Sequence, residues 1–302
     1  MTMSGRAGKL AKRVIAGSLA GLIATQSAAA APICPISPSP ADSSFDYMGT
    51  RVDRHGGPGA YTYVTAMKIV DADGAPNAYH PADMEDACPD NGRGLDCLEA
   101  AGYPHGSWWQ TVLAADPRAP DRPAIQRKGK FKGYFVSMTS LQNVAWGGPA
   151  NPASYVDASA TPYIVLPAPI YRTEGMGAMG DIGYAINLDT GRATPFVIAD
   201  EGPVEPLGEA SMAFWAALGE GPPNARNGEG LPRGRIAYTV FPHSRESINI
   251  GWPIDPDRLK AEALRLLAAT GGESGMRACA LAQSSASVAT AGTMAGAPEI
   301  GG

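Results

Sequence analysis

The chain has 302 residues, of which 44% are hydrophobic and 18% charged, and its formal net charge is −5 at pH 7. This length supports one domain with a sizeable core. An acidic chain is a poor partner for nucleic acid, whose phosphates call for basic surfaces. A cationic partner would be attracted, although the same charge also serves ordinary solubility.

The first 31 residues have the pattern of a secretory signal peptide. Four basic residues precede an apolar run over residues 14–24, and small residues before position 32 offer cleavage sites. Because the apolar run is too short to span a bilayer comfortably, we expect export to the extracellular space or periplasm without membrane anchoring. A Pro- and Ser-rich leader follows over residues 32–41.

The predicted elements are short and mostly extended. Strands are predicted, in chain order, over residues 61–70, 133–140, 163–166, 181–188, 195–200 and 236–241, with a hairpin turn at 189–192. Helices are predicted over residues 95–102, 209–218 and 256–269. Asp255 is the expected N-cap of the last helix, and Pro256 occupies its first position.

These elements predict a mainly β fold with a few helices, of α+β class, in one compact domain over residues 42–281. Short strands separated by many glycines and prolines support that class. Residues 282–302 are mostly Ala, Ser, Gly and Thr, which bury too little apolar surface to offset their ordering entropy. We therefore expect a disordered tail.

Four cysteines follow the predicted signal peptide: Cys34, Cys88, Cys97 and Cys279. An even number in an exported protein indicates two disulfides. Three pairings are possible. We favour Cys88 with Cys97, because the loop between them is short, and this pairs Cys34 with Cys279. Free thiols are the alternative, and no Cys-x-x-Cys spacing supports zinc.

Several kinds of chemistry lack their motifs in this sequence. There is no Gly-x-Ser-x-Gly elbow, no P-loop and no Gly-x-Gly-x-x-Gly before a helix. Asp71, Asp73 and Gly74 resemble the start of a calcium loop, but Ala82 stands where the closing glutamate belongs. We therefore predict neither a metal site nor a cofactor.

Two carboxylates on either side of a bend are the strongest candidates for catalysis. Asp200 ends an apolar run, Glu209 begins a helical pattern, and the chain between them is rich in Gly and Pro. Cleavage of a glycosidic bond typically requires two carboxylic acids that face one cleft. A turn followed by a helix cap is the alternative interpretation. The candidate stacking platforms for sugar rings are Tyr79, Trp108, Trp109 and Tyr134.

Residues 68–81, Lys-Ile-Val-Asp-Ala-Asp-Gly-Ala-Pro-Asn-Ala-Tyr-His-Pro, resemble the first hallmark of the fungal-type chitosanases, glycoside hydrolase family 75. Later blocks, such as residues 133–141 and 162–167, follow in the order of that family. Residues 200–211 resemble its catalytic block, so the resemblance extends from about position 61 to 219. The loop at 81–93 and the chain after 221 depart from it.

The resemblance implies a secreted enzyme that hydrolyses internal β-1,4-glucosamine linkages of chitosan with inversion, with Asp200 and Glu209 as its essential acids. Chitosan is a polycation, so Asp71, Asp73, Asp181 and Glu201 are candidates for binding its ammonium groups. Analogy suggests a barrel-like core, possibly of the double-psi type. We expect a monomer that binds chitosan or its oligosaccharides.

The two acids are expected to play unequal roles. A helix beginning at Glu209 would favour its charged form through the helix dipole, which makes Glu209 the base and Asp200 the acid; burial of Glu209 would reverse this assignment. Two other functions remain open: hydrolysis of a different amino-sugar glycan of cell walls, and polysaccharide binding without catalysis.

Overall fold

The computed structural model describes residues 34–35, 44–56, 59–85, 88 and 91–294, and side chains as far as residue 283. The predicted signal peptide and most of the predicted leader lie outside these residues. The strands are β1 Ser44–Tyr47, β2 Thr50–Arg54, β3 Tyr61–Thr65, β4 Ile69–Asp71, β5 Ala115–Asp116, β6 Ala119–Pro123, β7 Tyr163–Pro167, β8 Ile182–Asn187, β9 Ala193–Gly202, β10 Glu209–Ser211 and β11 Ile236–Phe241.

Nine strands form one mixed sheet, and β5 and β6 form a separate pair. The order in the large sheet is β1-β2-β3-β11-β8-β9-β7-β10-β4. β7 runs parallel to β9, and β10 runs parallel to β4, whereas the other neighbours are antiparallel. Aromatic residues help to set the register. Tyr63 and Tyr238 lie opposite each other on β3 and β11, with ring centroids 4.5 Å apart.

The α-helices are α1 Ala168–Tyr171, α2 Met212–Leu218, α3 Pro256–Ala269 and α4 Gly272–Met294. Helix α3 has the predicted bounds, and the Asp255 carboxylate caps it by accepting from the backbone N–H groups of Asp257 and Arg258. Helix α4 continues through residues 284–294, where the sequence predicts a disordered tail. The remainder of that tail, 295–302, lies outside the described residues.

Apolar residues cover both faces of the large sheet. On one face, strand residues such as Val165 and Val197 share a core with Leu259 and Leu267 of α3. On the other face, Ile164 and Ile198 share a core with Phe214 of α2. We call the first face the α3 face. This alternation along β7 and β9 is the two-residue period expected of a sheet buried on both sides.

The prediction of a mainly β fold with few helices is confirmed, but the expected barrel is not closed. No hydrogen-bonded ladder joins β1 to β4 within the described chain. The sheet is nonetheless curled. Thr65 of β3 and Ile69 of β4 are four residues apart and reach at most about 14 Å, whereas six strand spacings of a flat sheet would require about 29 Å.

Four predicted elements differ from the structure, one of them the helix predicted over 209–218, whose first three residues form β10. The strand predicted over 61–70 is two strands, because β3 pairs with β2 and β11 while β4 pairs with β10. Residues 133–140 are held by isolated bridges, at Phe135 and Ser137, instead of a continuous ladder. The helix predicted over 95–102 is a 3₁₀ turn, Leu98–Ala101, which ends at Gly102 with φ 64°.

Both favoured disulfides are present: Cys34 is bonded to Cys279, and Cys88 is bonded to Cys97. The first links the beginning of the described chain to α4, and the second closes a loop of the chain that leads to Asp96. Among the helices of the described residues, none combines the length and the apolar character needed to cross a bilayer.

Candidate active site

A β-bulge in β9 determines where Asp200 points. Ile198 pairs with Ile164 of β7, but the next residue of β7, Val165, pairs with Asp200, so Ala199 is the extra residue. Without this insertion Asp200 would share the face of Ile198. A bulge re-aims the side chains that follow it, and here it turns Asp200 to the α3 face.

Glu209 lies in the same row of the sheet as Asp200. Ala210 of β10 pairs with Ile164 of the antiparallel strand β7, so Glu209 continues that register opposite Val165. Asp200 is the partner of Val165 on the other side. The two acids therefore share one face and are separated by two strand spacings, about 10 Å of backbone.

Asp71 completes an acidic cluster on this face. The carboxyl end of β4 pairs with Ser211 of β10 in parallel, which puts Asp71 on the same side as Glu209. Carboxylate oxygens of Asp71, Asp73 and Asp200 lie within 4.8 Å of one another. We use the term acidic cluster for Asp71, Asp73, Asp200 and Glu209.

Hydroxyl groups and backbone amides fix the two N-terminal members of the acidic cluster. The Tyr163 hydroxyl donates to Asp71 Oδ2 and to the carbonyl oxygen of Asp73, both at 2.9 Å. Asp71 Oδ1 accepts from the Asp73 N–H at 2.7 Å. Asp73 Oδ1 in turn accepts from Tyr79 at 2.8 Å and from Ser137 at 3.3 Å.

Burial and like charge make these groups hard to ionise together. Burial raises the pKa of Asp71 to about 6, while hydrogen bonds from Asp73 and Tyr163 act in the opposite direction. Burial and then the charges of Asp71 and Asp200 raise the pKa of Asp73 well above its usual range. Carboxylates packed together resist simultaneous ionisation.

Asp200 is the member of the cluster with the most donors. Its Oδ1 accepts from the Ser140 N–H at 3.1 Å, the Glu201 N–H at 2.8 Å and the Ser140 hydroxyl. Burial and the charge of Asp71 raise its pKa to about 7, although these hydrogen bonds lower it. The donors act against burial and favour the ionised form of Asp200.

Glu209 has the opposite surroundings. It lies in β10, and the helix α2 begins only after the N-cap Ser211. The prediction that a helix dipole favours the charged form of Glu209 is therefore wrong. Among the described residues, none donates a hydrogen bond to its carboxylate. Burial, followed by the charge of Asp71 and of other nearby acids, raises the pKa of Glu209 well above its usual range.

Two predicted binding residues do not join the acidic cluster. Asp181 is fully buried, and its carboxylate accepts from the backbone N–H groups of Ala178, His243 and Arg245, so it holds loops together. Glu201 follows Asp200 on the opposite face and pairs with Arg172 at 2.8 Å. Neither carboxylate is placed to bind a ligand at the cluster.

The predicted aromatic residues have different surroundings. Tyr79 is buried and serves Asp73 through its hydroxyl. Trp108 is 47% exposed and is available for stacking, whereas Trp109 packs edge-to-face against Tyr103 at 5.8 Å. Tyr134 donates to the Arg93 carbonyl oxygen at 3.1 Å. No contact with the acidic cluster is recorded for Trp108, Trp109 or Tyr134 among the described residues.

Four residues of the site were not predicted from the sequence: Asp96, Ser137, Ser140 and Tyr163. Asp96 is buried and adds its charge to the electrostatic field at Glu209. The signal that could have revealed Tyr163 is a tyrosine within a buried apolar strand, since a buried hydroxyl needs a partner. Ser137 and Ser140 are far from Asp73 and Asp200 in the sequence and contact them only in the folded chain.

The spacing of the Asp71, Asp73 and Asp200 oxygens suits one cation. Carboxylates bind hard metal ions such as Ca²⁺ or Mg²⁺, and they bind ammonium groups equally well through charge-assisted hydrogen bonds. Gly74, which follows Asp73, lines a cavity of about 1240 Å³ that extends to Trp252 and Leu259, but none of the four cluster residues lines it.

Comparison of the chain with models of known protein families and with curated proteins found no match in either set.

Proposed function

We propose that this protein is an exported glycoside hydrolase that cleaves internal β-1,4-glucosamine linkages of chitosan with inversion of configuration. The resemblance of residues 68–81 and 200–211 to the family 75 chitosanases supports this proposal. The observation that carries it is the placement of Asp200 and Glu209 in one row and on one face of the sheet, with contrasting surroundings.

The surroundings of the two acids favour Glu209 as the general acid and Asp200 as the general base. An inverting glycosidase needs one protonated and one ionised carboxyl group. Burial without donors favours the protonated form of Glu209, whereas three donors favour the ionised form of Asp200. The roles are thus the reverse of those expected from the sequence.

In the proposed reaction, a water molecule attacks the anomeric carbon while Asp200 accepts one of its protons. Glu209 transfers its proton to the glycosidic oxygen as the bond between that oxygen and the anomeric carbon breaks. The products are one chain with an inverted reducing end and one with a new hydroxyl group. Inversion requires carboxyl groups roughly 6.5–9.5 Å apart, which is compatible with two strand spacings of about 10 Å between backbones.

The charge of the site supports an amino sugar as the substrate. Glucosamine units carry ammonium groups at mildly acidic pH, and the oxygens of Asp71 and Asp73 lie next to those of Asp200. Binding of a cation lowers the pKa of neighbouring carboxylates, so the substrate itself would help Asp200 to ionise. Export is in keeping with the two disulfides, which persist in oxidising compartments.

The decisive experiment compares Asp200→Asn and Glu209→Gln with the wild-type protein on soluble chitosan, following new reducing ends. Each variant should lose at least 100-fold in kcat, because removal of the acid or the base abolishes proton transfer. Asp121→Asn and Glu229→Gln, which change exposed carboxylates, are the matched controls and should keep wild-type activity.

The same assay separates the competing functions. Reducing ends formed at the wild-type rate by both variants would refute the catalytic assignment. Chitosans of different acetylation, tested beside peptidoglycan, distinguish chitosan from other amino-sugar glycans of cell walls. Tight chitosan binding without any reducing ends from the wild-type protein would indicate polysaccharide binding without catalysis.

A further inference from the structure

Ser140 lies on a loop that is locked to the catalytic strand. The Leu141 N–H donates to the carbonyl oxygen of Ala199, the bulge residue, at 2.8 Å. The Thr139 hydroxyl donates to the Leu141 carbonyl oxygen at 2.8 Å and accepts from the Val156 N–H at 3.0 Å. Because both neighbours of Ser140 are tied to other segments, its backbone and side chain have little freedom relative to Asp200.

All the recorded donors to the Asp200 carboxylate reach the same oxygen. Oδ1 accepts from the Ser140 N–H, the Ser140 hydroxyl and the Glu201 N–H. The Glu201 N–H also donates to the Ser140 hydroxyl oxygen at 3.3 Å, which closes a small ring of hydrogen bonds. Among the described residues, no donor is recorded on Oδ2.

An oxygen that accepts three hydrogen bonds has little capacity left to accept a proton, whereas its partner oxygen keeps its lone pairs free. The arrangement therefore distinguishes the two oxygens of Asp200 and orients the carboxylate plane. We propose that Ser140 is a positioning residue, which holds Oδ1 of Asp200 so that Oδ2 faces the attacking water and acts as the base. This inference rests on the proposed hydrolase function, in which Asp200 is the base, and deepens it.

Other charged groups also act on Asp200. It faces Asp71 from β4, Glu209 from β10 and Asp73 from the turn after β4. The charge of Asp71 raises the pKa of Asp200, and the charge of Asp200 raises the pKa of Glu209 and of Asp73. The Ser140 hydroxyl acts against the charge of Asp71 because it stabilises the Asp200 carboxylate. Loss of this hydroxyl should make Asp200 harder to ionise, as well as less well oriented.

The test is Ser140→Ala, assayed on soluble chitosan for kcat, KM and the pH dependence of kcat/KM. We expect kcat to fall roughly tenfold with KM little changed. The acidic limb of the kcat/KM profile should move up by about one pH unit, because a hydrogen bond to a charged group is lost. Ser140→Thr keeps a hydroxyl and should restore most of kcat and the original limb.

Ser159→Ala is the matched control. The Ser159 hydroxyl and N–H both donate to Asp157 Oδ1 at 2.6 and 2.8 Å, which repeats the Ser140 arrangement at a half-buried aspartate outside the cluster. This variant should keep the wild-type kcat and pH profile. Thermal midpoints of all three variants, measured by circular dichroism, report whether the fold is retained.

The inference is overturned if Asp200→Asn is inactive while Ser140→Ala keeps the wild-type kcat and acidic limb. It is equally overturned if Ser140→Ala loses activity in proportion to its thermal midpoint, with an unmoved limb, since that marks a structural role only. By contrast, wild-type rates in Asp200→Asn itself would refute the proposed function, so the two failures are distinguishable.

Discussion

At the scale of single residues, the acidic cluster stores unfavourable electrostatic energy in the folded state. Asp96, which lies outside the cluster but acts on Glu209, illustrates the same effect. It is buried, its Oδ1 accepts from the Cys97 N–H at 2.7 Å, and burial raises its pKa to about 7. In the unfolded chain an aspartate ionises near pH 4. Between these two values the folded state holds a proton that the unfolded state has released.

Asp96→Asn should therefore stabilise the protein at pH 8 more than at pH 4. The wild-type protein loses stability as pH rises from about 4 to 7, because the folded state binds more protons than the unfolded state over that window. The variant lacks this loss and keeps an acceptor for the Cys97 N–H. Each pKa unit corresponds to about 1.4 kcal/mol, so its thermal midpoint should exceed that of the wild type by several degrees at pH 8.

Thermal unfolding at both pH values, followed by circular dichroism, checks this. Asp121→Asn, at an exposed position, is the control and should show no pH-dependent gain. An equal midpoint for Asp96→Asn and the wild type at pH 8 would mean that Asp96 is not held in its protonated form by the fold.

At the scale of elements, the end of β9 is shaped to leave room for Glu209. A methyl group on Gly202 would stand 3.0 Å from Val165 Cγ1 and 3.1 Å from Glu209 Oε2, which is closer than atoms normally approach. Gly202→Ala should move the Glu209 carboxylate and lower kcat on chitosan at least tenfold, since small misplacements of catalytic groups are costly. The thermal midpoint should change little.

Gly221→Ala is the control for this substitution, because a methyl group at that position meets no atom within 4 Å. It should leave both activity and the midpoint unchanged. Full activity in Gly202→Ala would show that the position of Glu209 tolerates a displacement of this size, and would count against its role as the acid.

Local sequence patterns predicted the elements whose signals are local. Helix α3 has its N-cap, first-turn proline and apolar spacing within its own residues, and its bounds were predicted correctly. Glu209 was placed in a helix because its strand exists through pairing with β4, which is 140 residues earlier in the chain, and with β7. Tertiary pairing overrode a helical pattern there.

The residues of the site divide in the same way, into those with a local sequence signal and those placed by tertiary pairing. The acids of the cluster were predicted as candidates from their positions at strand ends and turns. Their common face depends on the bulge at Ala199 and on the register of four strands, neither of which has a local signal. For that reason Ser140 and Tyr163 were missed, while Asp181 and Glu201, which the sequence suggested as binding residues, lie outside the cluster.

At the scale of the whole molecule, two disulfides constrain very different lengths of chain. Cys34 and Cys279 are 245 residues apart, whereas Cys88 and Cys97 are nine apart. Closing the longer loop removes more entropy from the unfolded chain, about 5 kcal/mol against about 2.5 kcal/mol in the chain-entropy model. The first disulfide should therefore contribute more to stability.

The double variants Cys34→Ser/Cys279→Ser and Cys88→Ser/Cys97→Ser test this by thermal or urea unfolding. Both should be destabilised, the first by roughly twice as much. A smaller effect for the Cys34–Cys279 pair would show that the unfolded chain is already compact around these ends, so that the link removes little freedom.

The curled sheet has a consequence for how the site can be inherited or transferred. Its four carboxylates come from β4, the turn after it, β9 and β10, and Tyr163 of β7 lies between them, so the shortest continuous piece of chain that holds them all runs from Asp71 to Glu209. No short motif can be cut out and grafted elsewhere with its chemistry intact. Any rearrangement of the gene that keeps the site must keep this stretch of chain.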